Sequence, residues 1–181
     1  MKPKVIWLVI NLIVLLAVGT NVFAASEKVE ATLNKKTNIV FNGEMKTFVD
    51  SQGATIYPIN YNYTNYLPVR AFSNLFDTPV KWMNEEGKDI VVIGKGDLDT
   101  EMVQTISVFS EGISEVVDEV YIMPSRQIEY KEKIQTMTTE GGNIVYPLSY
   151  QGITYLPVRA ISNMFGAQIE WDGEHNRITI T

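Results

Sequence analysis

Cysteine is absent from these 181 residues, and histidine occurs once, at His175. The first absence removes disulfides as a source of stability even in an oxidising compartment, so packed cores must hold the fold. It also removes thiol nucleophiles and any N-terminal cysteine that could carry a lipid. One imidazole is too few for a copper site built from several histidines, and a serine triad would have to rely on that same ring. No strand-to-helix GxSxG elbow occurs either. Bases are outnumbered, with 15 Lys and Arg against 21 Asp and Glu. That balance disfavours nucleic acid and anionic membrane surfaces, which are bound by neutralising phosphate with cations.

What is present begins with Met1-Lys2-Pro3-Lys4, then an apolar run from Val5 to Val18 broken by Asn11, then GTNVFAAS. This is the pattern of a secretory signal peptide over residues 1–24, with Val22 and Ala24 at the −3 and −1 positions and cleavage between Ala24 and Ala25. The run is shorter than the ~20 apolar residues of a spanning helix. Cleavage is therefore expected over retention as an anchor, no membrane span remains after it, and the mature chain is secreted or held at the cell surface. Cleavage removes Lys2 and Lys4 and no acid, leaving 13 bases against 21 acids, a net charge of −8.

The chain repeats itself. YLPVRAFSNLF at 66–76 returns as YLPVRAISNMF 89 positions later, and aligning Tyr57–Trp82 with Tyr146–Trp171 makes thirteen of 26 positions identical without a gap. A one-residue gap is expected downstream, in the turn after the tryptophan. Such self-similarity marks a duplicated unit.

Each copy can be read locally. NIVFNGEMKTFV is a hairpin around Asn42-Gly43, a dipeptide suited to the two positive φ angles of a type I′ turn; its counterpart, Lys131-Glu132, predicts a turn of another type. Pro58 should end or demote the strand it interrupts. Pro68 and Pro157 suit the first position of a short helix, with Val69, Phe72 and Phe76 forming a one-sided stripe. Gly166 provides the left-handed stop, and Asp77 stands there in the first copy. A hairpin follows, and Phe76, Trp82 and their repeats are expected in the core. Between the copies, Leu98, Met102, Ile106, Phe109, Ile113, Val116 and Val120 recur at three-and-four spacing and predict a helix packed on its neighbours. The expected class is α+β: two repeated small antiparallel β-sheet modules, each with one short helix, joined by an amphipathic helix. The boundaries are 29–94 for the first module, 97–121 for the helical connector and 122–181 for the second module.

The stretch YPLSYQGITYLPVRAISNMFGAQIEWDGEHNRITIT (146–181) closely resembles the copper amine oxidase N-terminal domain, the stalk-like module repeated in exported proteins of Gram-positive bacteria. Its aromatic-Leu-Pro-small-Arg-Ala pattern, helix ending in Phe-Gly and Glu-Trp-Asp strand are all matched. The 57–94 copy departs at Asp77 and at Lys81-Trp82-Met83. The resemblance implies two tandem copies with an accessory role. Copper and the tyrosine-derived cofactor of those enzymes belong to a separate catalytic domain without a counterpart in these residues.

No cofactor or metal is expected. His175 with Asp172 and Glu174 reads as a solvated turn, because one imidazole on a turn makes a weak site. Asp97, Asp99 and Glu101 lack the turn glycine and distal glutamate of a calcium loop. Arg70 and Arg159, charged residues kept in otherwise apolar helices, either bind an anionic ligand or lay their stems on the core and fix helix against sheet. The tyrosines are the other candidates: Tyr61, Tyr63 and Tyr150, if exposed, offer flat amphipathic rings to sugars or a protein partner. The expected function is that of a non-enzymatic exported binding or spacer unit at the cell envelope, whose partner is a cell-wall polymer or another envelope protein. The alternative is a recognition module for cell-wall polysaccharide or peptidoglycan, and less favoured is a small hydrolase with paired carboxylates.

Overall fold

A computed structural model describes residues 25–181; the predicted signal segment, residues 1–24, lies outside them. In the first half, β1 (Glu27–Leu33) leads to the hairpin β2 (Asn38–Phe41) and β3 (Glu44–Val49), then β4 (Thr55–Ile56), β5 (Ile59–Tyr61) and β6 (Thr64–Pro68). Helix α1 (Val69–Asn74) and the hairpin β7 (Val80–Glu85) and β8 (Lys88–Ile93) complete it. A 3-10 turn (Thr100–Met102) and β9 (Val103–Thr105) follow. The second half runs β10 (Glu115–Ile122), β11 (Gln127–Tyr130), β12 (Lys133–Ile134), β13 (Leu148–Tyr150) and β14 (Ile153–Pro157), then α2 (Val158–Phe165), β15 (Ile169–Asp172) and β16 (Arg177–Ile180). Among the described residues the architecture is mostly β with two short α-helices, and none of their helices is long and apolar enough to cross a membrane.

Two separate modules are not what the strand pairing shows. Six strands close a barrel in the order β1-β10-β13-β14-β6-β5, three from each half. At its centre the repeated motif pairs antiparallel with its own copy: Leu67 lies opposite Leu156, Tyr66 opposite Pro157 and Pro68 opposite Tyr155. Exchanging the halves maps this ladder onto itself, so a pseudo-twofold axis passes through the Leu67–Leu156 pair. The first half's hairpin β2–β3 joins the second half's β15–β16 through a parallel β2–β16 pairing. Reciprocally, β11–β12 joins β7–β8 through a parallel β8–β11 pairing. Each half thus completes the other's sheet, and both sheets are mixed rather than purely antiparallel.

The predicted connector helix is corrected. Residues 97–121 form the 3-10 turn, β9 on β3, and most of β10, which pairs along β1. The three-and-four spacing was real, but the segment is rich in Val and Ile, which suit a pleated surface, and β1 offers a full ladder of partners. It is tied to the first half by Ser110 N–H to Asn38 at 2.7 Å and by Lys35 to Glu115 at 2.9 Å.

Turn chemistry largely follows the sequence. Asn42 and Gly43 both take positive φ, 49° and 84°, as the hairpin requires. Lys131 and Glu132 do the same, at 50° and 62°, so the second copy keeps the turn type without its favoured residues. Pro68 and Pro157 cap the helices from the preceding strands rather than opening them. Gly166 stops α2 at φ 72°, and Asp77 occupies the same left-handed position after α1 at φ 49°. Trp82 pairs with Val91 and Trp171 with Ile178, so the tryptophan-to-strand offset falls from 89 to 87 and the gap is two residues.

At the axis the two helix ends meet. Phe76 and Phe165 stack with ring centroids 4.8 Å apart and planes 25° apart. Phe41 packs on Phe76 at 5.1 Å, and its repeat Tyr130 packs on Phe165 at 5.4 Å. Leu67, Leu156, Phe72, Ile161 and Ile59 are fully buried around this cluster. One core therefore serves both halves.

Candidate functional site

Both tryptophans depart from the expected core position. Trp82 is 54 % exposed and Trp171 43 %. Each points to the core side of its strand, where the residue two positions earlier, Val80 or Ile169, packs against the core. The paired neighbours of the tryptophans, Val91 and Ile178, are buried, but β7 and β15 are edge strands, so each indole is left open on its outer side as one wall of a groove. Reading the alternation gave the right face; it could not show that the strand lies at a sheet edge.

The described residues form a pair of such grooves, related by the pseudo-twofold. The first, of about 430 Å³, is lined by Val69, Arg70, Val80, Trp82 and Val91 from the first half and by Ser149 and Gly152–Thr154 from the second half's β13–β14 hairpin. The second, of about 540 Å³, takes Val158, Arg159, Ile169, Trp171 and Ile178 from the second half and Asn60 and Asn62–Asn65 from the β5–β6 hairpin. The core of each lining corresponds: Val69, Arg70, Val80 and Trp82 match Val158, Arg159, Ile169 and Trp171, and Ser149 and Gly152–Thr154 match Asn60 and Tyr63–Asn65. Because the halves are interlocked, each groove draws one wall from either copy.

The first groove is internally committed. The Trp82 indole N–H donates to Asp89 at 2.6 Å, Arg126 Nε donates to the same carboxylate at 2.8 Å, and Arg126 Nη1 donates to Thr154 Oγ1 at 2.7 Å. Both charged side chains are largely buried, so this chain of charge-assisted bonds staples the tryptophan strand to the opposite hairpin. Met102 of the connector also lines this groove, and the acids Asp97, Asp99 and Glu101 flank Arg70 beside it.

In the second groove the polar groups face inward with capacity to spare. Asn60 Nδ2 donates to Asn65 Oδ1 at 3.0 Å, which leaves one amide carbonyl and one amide NH₂ available. Arg159 pairs with Glu140 across the rim. Gly173 lies beside the Trp171 ring, and a side chain there would begin 3.3 Å from the indole nitrogen.

The candidate residues are distributed as follows. Arg70 and Arg159 both stand exposed at the starts of their helices, each on a groove rim. Only Arg159 has an acid partner among the described residues. Tyr63 is fully exposed and lines the second groove. Tyr61 and Tyr150 are half-buried with their rings against the core. Burial, then the Glu115 charge, pushes the Tyr150 hydroxyl up from its ordinary pKa. His175 is a turn residue: its ring lies 2.8 Å from Asp172, which also accepts from the His175 backbone N–H and from Arg177 at 2.8 Å. These bonds, the His175 backbone bond foremost, hold the Asp172 carboxyl below its usual range. Among the described residues, no three His, Asp or Glu side chains are placed together to hold a metal ion. Sequence reasoning missed Trp82 and Trp171 as site residues; their repetition beside a repeated arginine was the available signal.

Compared with known proteins, residues 118–181 match the family model of the copper amine oxidase N-terminal domain. In those enzymes this domain is non-catalytic. The matched stretch holds Trp171 and Arg159 of the second groove and the β13–β14 wall of the first. No curated protein and no solved structure matches the chain.

Proposed function

We propose that this chain is a non-catalytic, exported binding unit of the cell envelope, in which the first half is a second copy of the stalk-like domain matched at residues 118–181. The observation that carries the reading is the pair of corresponding grooves, each with a half-exposed tryptophan and an exposed arginine, on a body that both halves complete. Exposed large aromatics on a rigid scaffold are features of binding surfaces. The signal-like N-terminus supports export, and the acidic balance speaks for a neutral or basic partner. A hydrolase would need two converging carboxylates with one pKa raised. The carboxyls with resolved shifts, Glu44 and Asp172, are both lowered, by Lys46 and by His175 respectively.

Recognition of a cell-wall polymer, rather than a spacer role alone, is favoured by Tyr63, an aromatic ring set wholly in solvent at a groove mouth. Cosedimentation of the mature chain, residues 25–181, with cell-wall sacculi from its source tests this. Saturable binding that is lost in a Trp82→Ala/Trp171→Ala variant is the expected result. Absence of binding by the parent chain removes the wall as partner and leaves an envelope protein.

A further inference from the structure

We propose that the second groove, between Trp171 of one copy and the β5–β6 turn of the other, is a binding subsite for a pyranose ring of a wall glycan. The proposal rests on the envelope-binding reading and names the ligand class of one of its two grooves. The copies have diverged in a way that singles this groove out. Trp82 spends its indole N–H on Asp89, and the Asp89–Arg126–Thr154 chain braces the first groove. No such bond is made by the Trp171 indole among the described residues, and Gly173 keeps its nitrogen edge uncrowded.

Tyr63 supplies the second argument. It occupies the left-handed region at φ 59°, where its counterpart in the other copy is Gly152 at φ 78°. A bulky residue in that conformation crowds its Cβ against the backbone, a cost that glycine does not carry. Its ring is wholly exposed and so returns no packing. Glu132 is an exposed turn residue with a similar φ of 62°; what sets Tyr63 apart is a large aromatic ring left in solvent at the groove mouth. Across the groove stands Trp171, 43 % exposed. Two aromatic rings suit the apolar C–H faces of a sugar, and between them the spare Asn60 carbonyl, the spare Asn65 amide and the Arg159–Glu140 pair suit its hydroxyls. The lining carries both hydrogen-bond donors and acceptors and no unpaired charge, which matches a neutral polyhydroxylated ligand better than an anion or a peptide terminus.

The test is an NMR titration of the mature chain with tetra-N-acetylchitotetraose and, separately, cellotetraose, following the indole N–H signals. The expected result is a saturable shift of the Trp171 signal with at least one of them, with the Trp82 signal unmoved. Trp171→Ala should weaken binding at least tenfold and Trp171→Tyr should restore part of it. Tyr63→Gly should weaken binding severalfold while raising the melting temperature, a pairing of signs that a structural role for Tyr63 does not produce. The proposal is overturned if neither oligosaccharide gives a saturable shift at Trp171, or if Trp171→Ala binds as well as the parent. Sacculus binding that survives Trp171→Ala also overturns it, while leaving the broader envelope-binding reading standing. Saturable oligosaccharide binding without sacculus binding does the reverse.

Discussion

Leu67 and Leu156 face each other on the pseudo-twofold axis, both fully buried, one from each copy. Replacing either with alanine removes the same atoms from the same shared core. A fully buried Leu→Ala change costs about 2–5 kcal/mol, and the site cannot collapse freely because the helices and the barrel hold its walls. For a chain of this size about 3 kcal/mol lowers the melting temperature by roughly 6–12 °C. The two single variants should agree within about 1 kcal/mol, since symmetry gives them corresponding surroundings. The double variant should fall short of the sum, because the two cavities merge. The decisive readout is the number of transitions in scanning calorimetry of the mature chain. Interlocked halves melt as one cooperative unit, so each variant shifts a single peak. A Leu67→Ala variant that moves one of two resolved peaks and leaves the other at its parental temperature refutes the shared core.

Two further outcomes follow from local geometry. Burial raises the pKa of Tyr66 to about 12 and pushes Tyr155 higher still; a raised folded-state pKa means stability present below pH 10 and lost as pH climbs toward 12, by about 3 kcal/mol for Tyr66 alone. Tyrosinate absorbance should show these two of the nine tyrosines ionising last, together with unfolding; normal titration of all nine contradicts the burial. Asp77→Gly should stabilise by up to ~1 kcal/mol in denaturant melts, because the left-handed φ of 49° at that helix stop suits glycine better. A loss of stability would mean that the Asp77 side chain contributes a contact of its own.

What was legible in the sequence was local. Asn42-Gly43, Pro58 and Gly166 act through their own φ angles or missing N–H, so each could be placed from its neighbours alone, while Pro68 marked the helix start but lies one position ahead of it. The exchange of hairpins could not, because the β2–β16 pairing brings Asn38 beside Arg177 and nothing in either segment names the other. The connector failed for a related reason: apolar spacing alone cannot separate a helix from a strand once a ladder partner exists elsewhere in the chain. Lys131-Glu132 shows the same override, a turn imposed by the hairpin on residues that disfavour it. At the site, the arginines were singled out by being charged within an apolar repeat, and their exposure follows from that. The tryptophans were hidden because a large aromatic on the inward face of a strand is ordinarily core.

The family match and the fold, taken together, carry one more consequence. Residues 118–181 match the domain by themselves, yet in this chain they hold only part of β10 and the strands β13 and β14 of the six-stranded barrel, and their β11 and β16 both pair with strands outside the match. An isolated 115–181 fragment would expose the Leu156 ladder and two parallel edges at once, surfaces that are fully buried here at Leu156, Ile128 and Ile178. In the full chain the first half fills those edges through pairings that mirror those of the second half about the pseudo-twofold, so a second fragment presents matching edges. Two fragments can therefore satisfy each other about a true twofold axis, with Leu156 opposite Leu156 where the full chain sets Leu67 opposite Leu156. The fragment is expected to be a folded dimer by analytical ultracentrifugation, with a melting temperature that rises with concentration, while the full mature chain shows no such dependence. A folded, monomeric fragment would mean that the second half can close on itself, and the interlocking would then be a preference of the full chain rather than a requirement of the domain.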